Sequence, residues 1–249
     1  MTGSIQNLYL FMKFKILTGL VTGLVVSITT SVLFCQPSRA GNHRLFSNVA
    51  QIGNSDLLAQ QKAEDFLKEG GEKYQKGDRE GAIEDLTKAI GLNPNYAEAY
   101  YDRGILRYEL ENYAGAIADF TEVLRINPNL FQAYVNRGNA RDDGGDSQGA
   151  IADYNEALRL NPNHSKAYYN RGVTRSRLKD SQGAIADFNE ALRIDPNYAL
   201  AYANRAYIRA ELGDKEAAIQ DFQKAADLFQ KQGDQDSYQK AINSLKKLQ

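Results

Sequence analysis

The chain has 249 residues, 43% of them hydrophobic and 24% charged, with a formal net charge of −1 and a single cysteine. One cysteine rules out a disulfide framework, so stability has to come from packing. Near-neutrality lacks the basic excess that a nucleic-acid-binding face needs, and the absence of Val/Ile-rich alternating runs over residues 56–249 points to an all-α fold.

At the start of the chain, Lys13 and Lys15 precede an uncharged apolar run from Ile16 to Phe34, and Ser38-Arg39-Ala40 offers the small residues that a signal peptidase needs. Residues 1–40 therefore read as an export signal cleaved after Ala40, which would make the protein periplasmic or otherwise extracytoplasmic. The run is also about long enough to cross a bilayer, which takes roughly 20 residues. An uncleaved membrane anchor through residues 16–34 is the alternative, and Met12 is an alternative start to Met1. Cys35 follows Phe34, a bulky residue where a lipoprotein motif wants a small one. Cleavage would remove Lys13, Lys15 and Arg39 and take the formal charge from −1 to −4. Residues 41–55 lack helical periodicity and are expected to form a linker.

Beyond it the chain repeats. Pro94, Pro128, Pro162 and Pro196 lie 34 residues apart, and Tyr100-Tyr-Asp-Arg-Gly returns as Tyr134-Val-Asn-Arg-Gly, Tyr168-Tyr-Asn-Arg-Gly and Tyr202-Ala-Asn-Arg-Ala. A second block, Gly115-Ala-Ile-Ala-Asp-Phe, recurs from Gly149, Gly183 and Ala217, with a weaker copy from Gly81. The units run over 63–96, 97–130, 131–164, 165–198 and 199–232. Tyr168 and Gly172 share one helix face, and Ala184, Phe188 and Ala191 make a small-large-small stripe on the next helix. Gly-Asp at 77–78, 145–146 and 213–214 supplies a helix end followed by an N-cap. Asn-Pro-Asn, or Asp-Pro-Asn at 195–197, is expected to end the second helix and cap the next. Asp142-Asp143-Gly144-Gly145 breaks the pattern, and the first helix of that unit is expected to fray early. A last amphipathic segment over 235–248 places Tyr238, Ala241, Ile242, Leu245 and Leu248 on one face, as a terminal cap requires.

The set Tyr168, Gly172, Ala184, Phe188, Ala191 and Pro196 resembles the skeleton of the tetratricopeptide repeat family. Tyr or Phe stands in place of the family's Trp, and its second helix-A Tyr is replaced by Arg107, Arg141, Arg175 and Arg209. The resemblance covers about two thirds of the chain. It implies a right-handed superhelical solenoid of about five helix-turn-helix units over 56–249, closed by a capping helix.

No constellation of catalytic type is visible. His43 and His164 have no second His or Cys at metal or nucleophile–base spacing, and Asp142 and Asp143 sit at a helix end where nothing would split their pKa values. An enzyme, a metal site and a cofactor are therefore not expected. His164 takes the slot of Tyr96, Leu130 and Tyr198 and is expected to pack in a turn.

Two ladders carry the remaining chemistry. Arg103, Arg137, Arg171 and Arg205, with Asp85, Asp119, Asp153, Asp187 and Asp221, flank the packed seam. Pairing within a unit would bring Asp85 against Glu69, so pairing to the next unit is expected, as Asp85–Arg103, Asp119–Arg137, Asp153–Arg171 and Asp187–Arg205. The second ladder is Asp102, Asn136, Asn170 and Asn204, two residues past the packed Tyr and so roughly 200° around the helix. Asn139, Lys166, Arg177 and Tyr207 extend this stripe, and Tyr101 and Tyr169 lie beside it. In the family this face lines the concave groove, and repeated Asn there can hold the backbone of an extended peptide. The resemblance thus implies a non-enzymatic scaffold for a protein or peptide partner, with a self-associating structural element as the alternative. Basic residues on the stripe are confined to Lys166 and Arg177, so the family's carboxylate clamp is not reproduced.

Overall fold

The computed structural model describes the backbone of residues 43–248 and side chains from Asp56 onward. The export signal or anchor read over 1–40 lies outside the described residues. Residues from Ala50 form one compact unit. Eleven helices are described: α1 (His43–Gln75), α2 (Arg79–Leu92), α3 (Ala97–Glu109), α4 (Tyr113–Ile126), α5 (Phe131–Asp143), α6 (Ser147–Leu160), α7 (Ser165–Arg177), α8 (Ser181–Ile194), α9 (Ala199–Glu211), α10 (Lys215–Gln232) and α11 (Gln235–Leu248). No strand occurs among the described residues. They form consecutive packed pairs, the solenoid expected of the repeat. No helix among them is long and apolar enough to cross a membrane.

Helix α1 begins at His43, so residues 43–55 are helical where a linker is expected. No proline interrupts the chain from His43 to Gln75, and without a breaker the helix of the first unit continues backwards.

Local chemistry explains each reversal within a unit. The side chains of Asp78, Asn112, Asp146, Asp180 and Asp214 accept from backbone N–H groups three residues on, so every second helix starts on a polar cap. The residue before the cap adopts positive φ. Glycine fills that position at Gly77 (86°), Gly145 (92°) and Gly213 (86°), but Glu111 (59°) and Lys179 (65°) hold it in the other two units. Helix α5 does not fray early, for it reaches Asp143 and matches α3, α7 and α9 at 13 residues. Gly145 supplies the left-handed turn, and Ser147, Thr174 and Arg177 hold the Asp142 carboxylate.

The turn between units differs from expectation. Oδ1 of Asn93, Asn127, Asn161 and Asp195 accepts from the N–H two residues on, closing a side-chain turn around each proline. The second Asn does not cap the following helix. The N-cap falls one residue later, on Tyr96, Leu130, His164 and Tyr198, and of these only His164 supplies a side-chain acceptor.

The core repeats with the turns. Phe120, Tyr154, Phe188 and Phe222 are almost wholly buried. The gap beside Tyr168 is filled by its own unit's ring: a Cβ at Gly172 would lie 2.9 Å from Phe188 Cε1. First helices of successive units touch one another, α3 with α5, α5 with α7 and α7 with α9, whereas second helices make no comparable approach. The array therefore closes toward the first helices. Ala241 and Leu245 of α11 are buried against α10, with Tyr238, Ile242 and Leu248 packed around them.

A left-handed backbone costs a side-chain-bearing residue about 1–2 kcal/mol. Lys179→Gly should therefore stabilise the array by about 1 kcal/mol, read as a higher midpoint in urea unfolding; an unchanged or lower midpoint would refute strain at this turn.

Candidate functional site

The charge ladder pairs within units. Arg103 Nε and Nη2 donate to the buried Asp119 carboxylate at 3.0 and 2.7 Å, and Arg107 Nη1, one turn further along α3, donates at 2.9 Å. Asp153 takes the same clamp from Arg137 and Arg141, Asp187 from Arg171 and Arg175, and Asp221 from Arg205 and Arg209. The expected pairing of Asp119 with Arg137, and its counterparts Asp85–Arg103, Asp153–Arg171 and Asp187–Arg205, is thereby corrected. The two helices of a unit are antiparallel, so the turn brings residue i+16 back beside residue i. The like-charge contact of Asp85 with Glu69 that pairing within a unit implies does not arise, because Glu69 is exposed. Lys73, in the slot of Arg107, and Lys88 hold Asp85 at 2.6 and 2.8 Å. Burial opposes the Asp85 charge, but the bonds and fields of Lys73 and Lys88 outweigh it and keep the carboxyl below its ordinary pKa.

Contact between units passes through the remaining arginine donor. Nη1 of Arg103 donates to Thr87 of the preceding unit at 2.9 Å, Arg137 to Thr121 at 3.2 Å, Arg171 to Asn155 at 2.6 Å and Arg205 to Asn189 at 2.5 Å. Each guanidinium also lies over the ring of Tyr100, Tyr134, Tyr168 or Tyr202, 5.4–5.6 Å from its centroid. The four arginines in the second-Tyr slot, Arg107, Arg141, Arg175 and Arg209, were visible in the sequence as departures. Their role was not, since it depends on where the antiparallel helix returns.

The asparagine stripe is half-buried rather than fully outward. Asn136 Nδ2 donates to Tyr101 Oη of the preceding unit at 2.9 Å, and Asn204 Nδ2 to Tyr169 Oη at 2.9 Å. Asn170 Nδ2 reaches Asn139 Oδ1 at 2.8 Å, which also accepts from Tyr154 Oη. The structure thus brings Asn136, Asn139, Asn170, Asn204, Tyr101 and Tyr169 together along the first helices, with the half-buried Asp102 in the matching position on α3. Burial pushes the Tyr101 hydroxyl up to about 12, against the pull of the Asn136 bond. An amide carries two donors and two acceptor lone pairs. One donor of Asn136, Asn170 and Asn204 is committed, as is the acceptor of Asn139, so the rest of each group is held in a fixed orientation.

The same one-unit step recurs nearer the helix ends. Tyr74 donates to Glu109, Tyr108 to Asp143 and Arg177 to Asp142. Arg177 is therefore engaged, while Lys166 is exposed and no carboxylate among the described residues lies within ion-pair distance of it. Tyr207 is 47% exposed, its ring edge-on to Phe222 and its hydroxyl 3.1 Å from Ser244 Oγ. Gln132 departs from this satisfied pattern, since its buried Oε1 finds no hydrogen-bond partner among the described residues.

Models of the family agree with this geometry. Those described as tetratricopeptide repeat match residues 97–130, 135–199 and 188–220, and one described as TPR repeat matches 70–110. The array is built of tetratricopeptide repeats. No curated protein matches the chain. Among solved structures, MamA shares 25% identity at a TM-score of 0.64 over 66% of this chain and 96% of its own. MamA from Desulfovibrio magneticus RS-1 gives 22%, 0.65, 69% and 97%. YrrB, described as a TPR protein with an unusual peptide-binding site, gives 21%, 0.62, 81% and 97%. Proteins built of tetratricopeptide repeats generally mediate contacts with proteins or peptides.

Among the described residues no group of three or more His, Cys, Asp or Glu could hold a metal ion. His164 packs against Phe131, as a turn residue would, and its Nδ1 also accepts from Ala167 N at 3.1 Å to start α7. Burial, helped by nearby Lys166, lowers its pKa from 6.5. As pH falls through the unfolded value of 6.5, the unfolded chain takes up a proton that the folded tetratricopeptide array resists, so stability is lost below that point and none above it. His164→Asn keeps a cap acceptor without titrating, and the stability difference between pH 7 and pH 5, measured by denaturant unfolding, should shrink relative to the parent chain. An equal difference in both would remove His164 as its source. Asp187→Ala, which leaves Arg171 and Arg175 unpaired, should cost about 3–5 kcal/mol of unfolding free energy; a loss below about 1 kcal/mol would show the clamp to be dispensable.

Proposed function

We propose that this protein is a non-enzymatic scaffold that holds an extended peptide or a segment of a partner protein along the first helices of its repeats. The observation that carries the reading is the row of asparagine amides each tied by one Nδ2 bond to the preceding unit. A bound peptide needs donors and acceptors at regular intervals, and amides already held in place lose little freedom when they supply them. Tyr101, Tyr169 and Tyr207 add rigid apolar surface beside them. The absence of a nucleophile–base pair from the sequence supports a binding role over a catalytic one.

We further propose export, by a signal cleaved after Ala40 or with residues 16–34 kept as a membrane tether, which places the scaffold where it could aid assembly of an envelope or membrane complex. Sequencing the N-terminus of the protein recovered from fractionated cells distinguishes the two forms.

Replacing Asn136, Asn170 and Asn204 together by Ala should abolish recovery of the partner in a pull-down while helix content is retained. Undiminished recovery would sink the groove reading. Loss of higher-order species in a size measurement on the same variant would instead favour self-association.

A further inference from the structure

The stripe changes character along the array, and the specificity this creates rests on the peptide-binding role proposed for the groove. On α3 it carries Glu98 and Glu109; on α7 and α9 it carries Lys166 and two of the exposed large hydrophobic residues, Leu200 and Tyr207. The other described hydrophobics of that kind lie on α1, at the end of α2 or in the turns following α3, α7 and α9. Leu200 is 46% exposed and Tyr207 47%. They are two helical turns apart, about 10 Å along α9, on the same face, with Asn204 between them. Contacts with Phe222 and Ser244 fix the Tyr207 ring, so its exposed surface is a rigid platform. On the adjoining α7, Val173 stands one repeat before Tyr207 and Lys166 one repeat before Leu200. Lys166 is exposed and has no carboxylate among the described residues within ion-pair distance.

We infer that α7 and α9 form a subsite for an extended peptide bearing an apolar side chain, seated between Leu200 and Tyr207, and an acidic side chain three residues away, on Lys166. Adjacent helices lie about 8–10 Å apart. In a polyproline-II-like segment, residues three apart fall on the same side at about 9 Å, which matches the step from α9 to α7. Such a segment has no internal hydrogen bonds, which leaves its backbone open to the amides of Asn170 and Asn204. On α3 the slot of Lys166 is taken by Glu98, and Glu109 is already paired with Arg79 at 3.0 Å, so that slot offers the acid no cation and position along the groove as well as composition is specified.

The test is selection of a random displayed library of peptides about 12 residues long on the immobilised full chain. Retained peptides should share an apolar residue and an Asp or Glu three positions apart. A fluorescent synthetic copy should bind about tenfold more weakly to Lys166→Glu and to Leu200→Ser, and more weakly as salt rises. Both replaced side chains are exposed, and circular dichroism checks that the variants keep their helices. Retained peptides that lack the acid, or binding that survives both substitutions while failing in the triple asparagine variant, would overturn the subsite and leave the groove reading standing. Failure of the parent chain to retain any peptide would overturn both. Oligomers that dissociate in Leu200→Ser would show a second copy of this chain to be the occupant, and that also overturns the peptide subsite.

Discussion

Each unit depends on a carboxylate with little access to water. Asp119, Asp153, Asp187 and Asp221 sit between the two helices of a unit, each met by two arginines one turn apart on the first helix. Burying a lone carboxylate is prohibitive, whereas burying one that accepts three charge-assisted bonds is tolerable and has one geometry. The clamp therefore sets how the second helix lies against the first. The arginine that supplies two of those bonds turns its remaining nitrogen to the preceding unit and its flat face to a tyrosine. A single guanidinium thus joins the fold of one unit to the placement of the next.

The same economy of groups links architecture to the candidate site. Hydrogen bonds from Asn136 to Tyr101 and from Asn204 to Tyr169 connect neighbouring first helices, and Asn170 with Asn139 replaces that rung where Val135 stands in place of a tyrosine. These groups align the units and, by doing so, orient the rest of each amide. The helical angle turns them away from the packed seam, and their bonds to the neighbouring unit leave them half-buried and less mobile than a free surface amide.

The third unit shows how a local irregularity is absorbed. Asp142-Asp143-Gly144-Gly145 reads as a weak helix end, since the Leu found at Leu110, Leu178 and Leu212 is missing. In three dimensions Asp142 gains Ser147, Thr174 and Arg177, and Asp143 accepts from Tyr108, so polar bonds to both neighbouring units hold this helix end without a leucine, whose counterparts in the other units are exposed. Tyr154, the only tyrosine among the four large rings of the units, joins this network through Asn139, and burial together with Asp142 and Asp143 raises its hydroxyl pKa.

By itself the sequence determined the units, their period, the helical class, the Gly-Asp reversals and the buried face of the last helix, because each follows from spacings of a few residues on one helix or turn. It also showed the carboxylates, the first arginine of each clamp and the asparagines, but not that Arg107, Arg141, Arg175 and Arg209 join the same carboxylates. Tertiary structure decided how the ladders connect. Asp119 meets Arg103 rather than Arg137 because an antiparallel return brings positions 16 apart together, and a 34-residue repeat is compatible with either phase until the helices pack. The extension of α1 through residues 43–55 and the capping by His164 were likewise settled by what the backbone does once no breaker, or one acceptor, is within reach. Periodicity identifies residues that share a face; which partner each one finds is set by the distance between faces, and that exists only in the folded array.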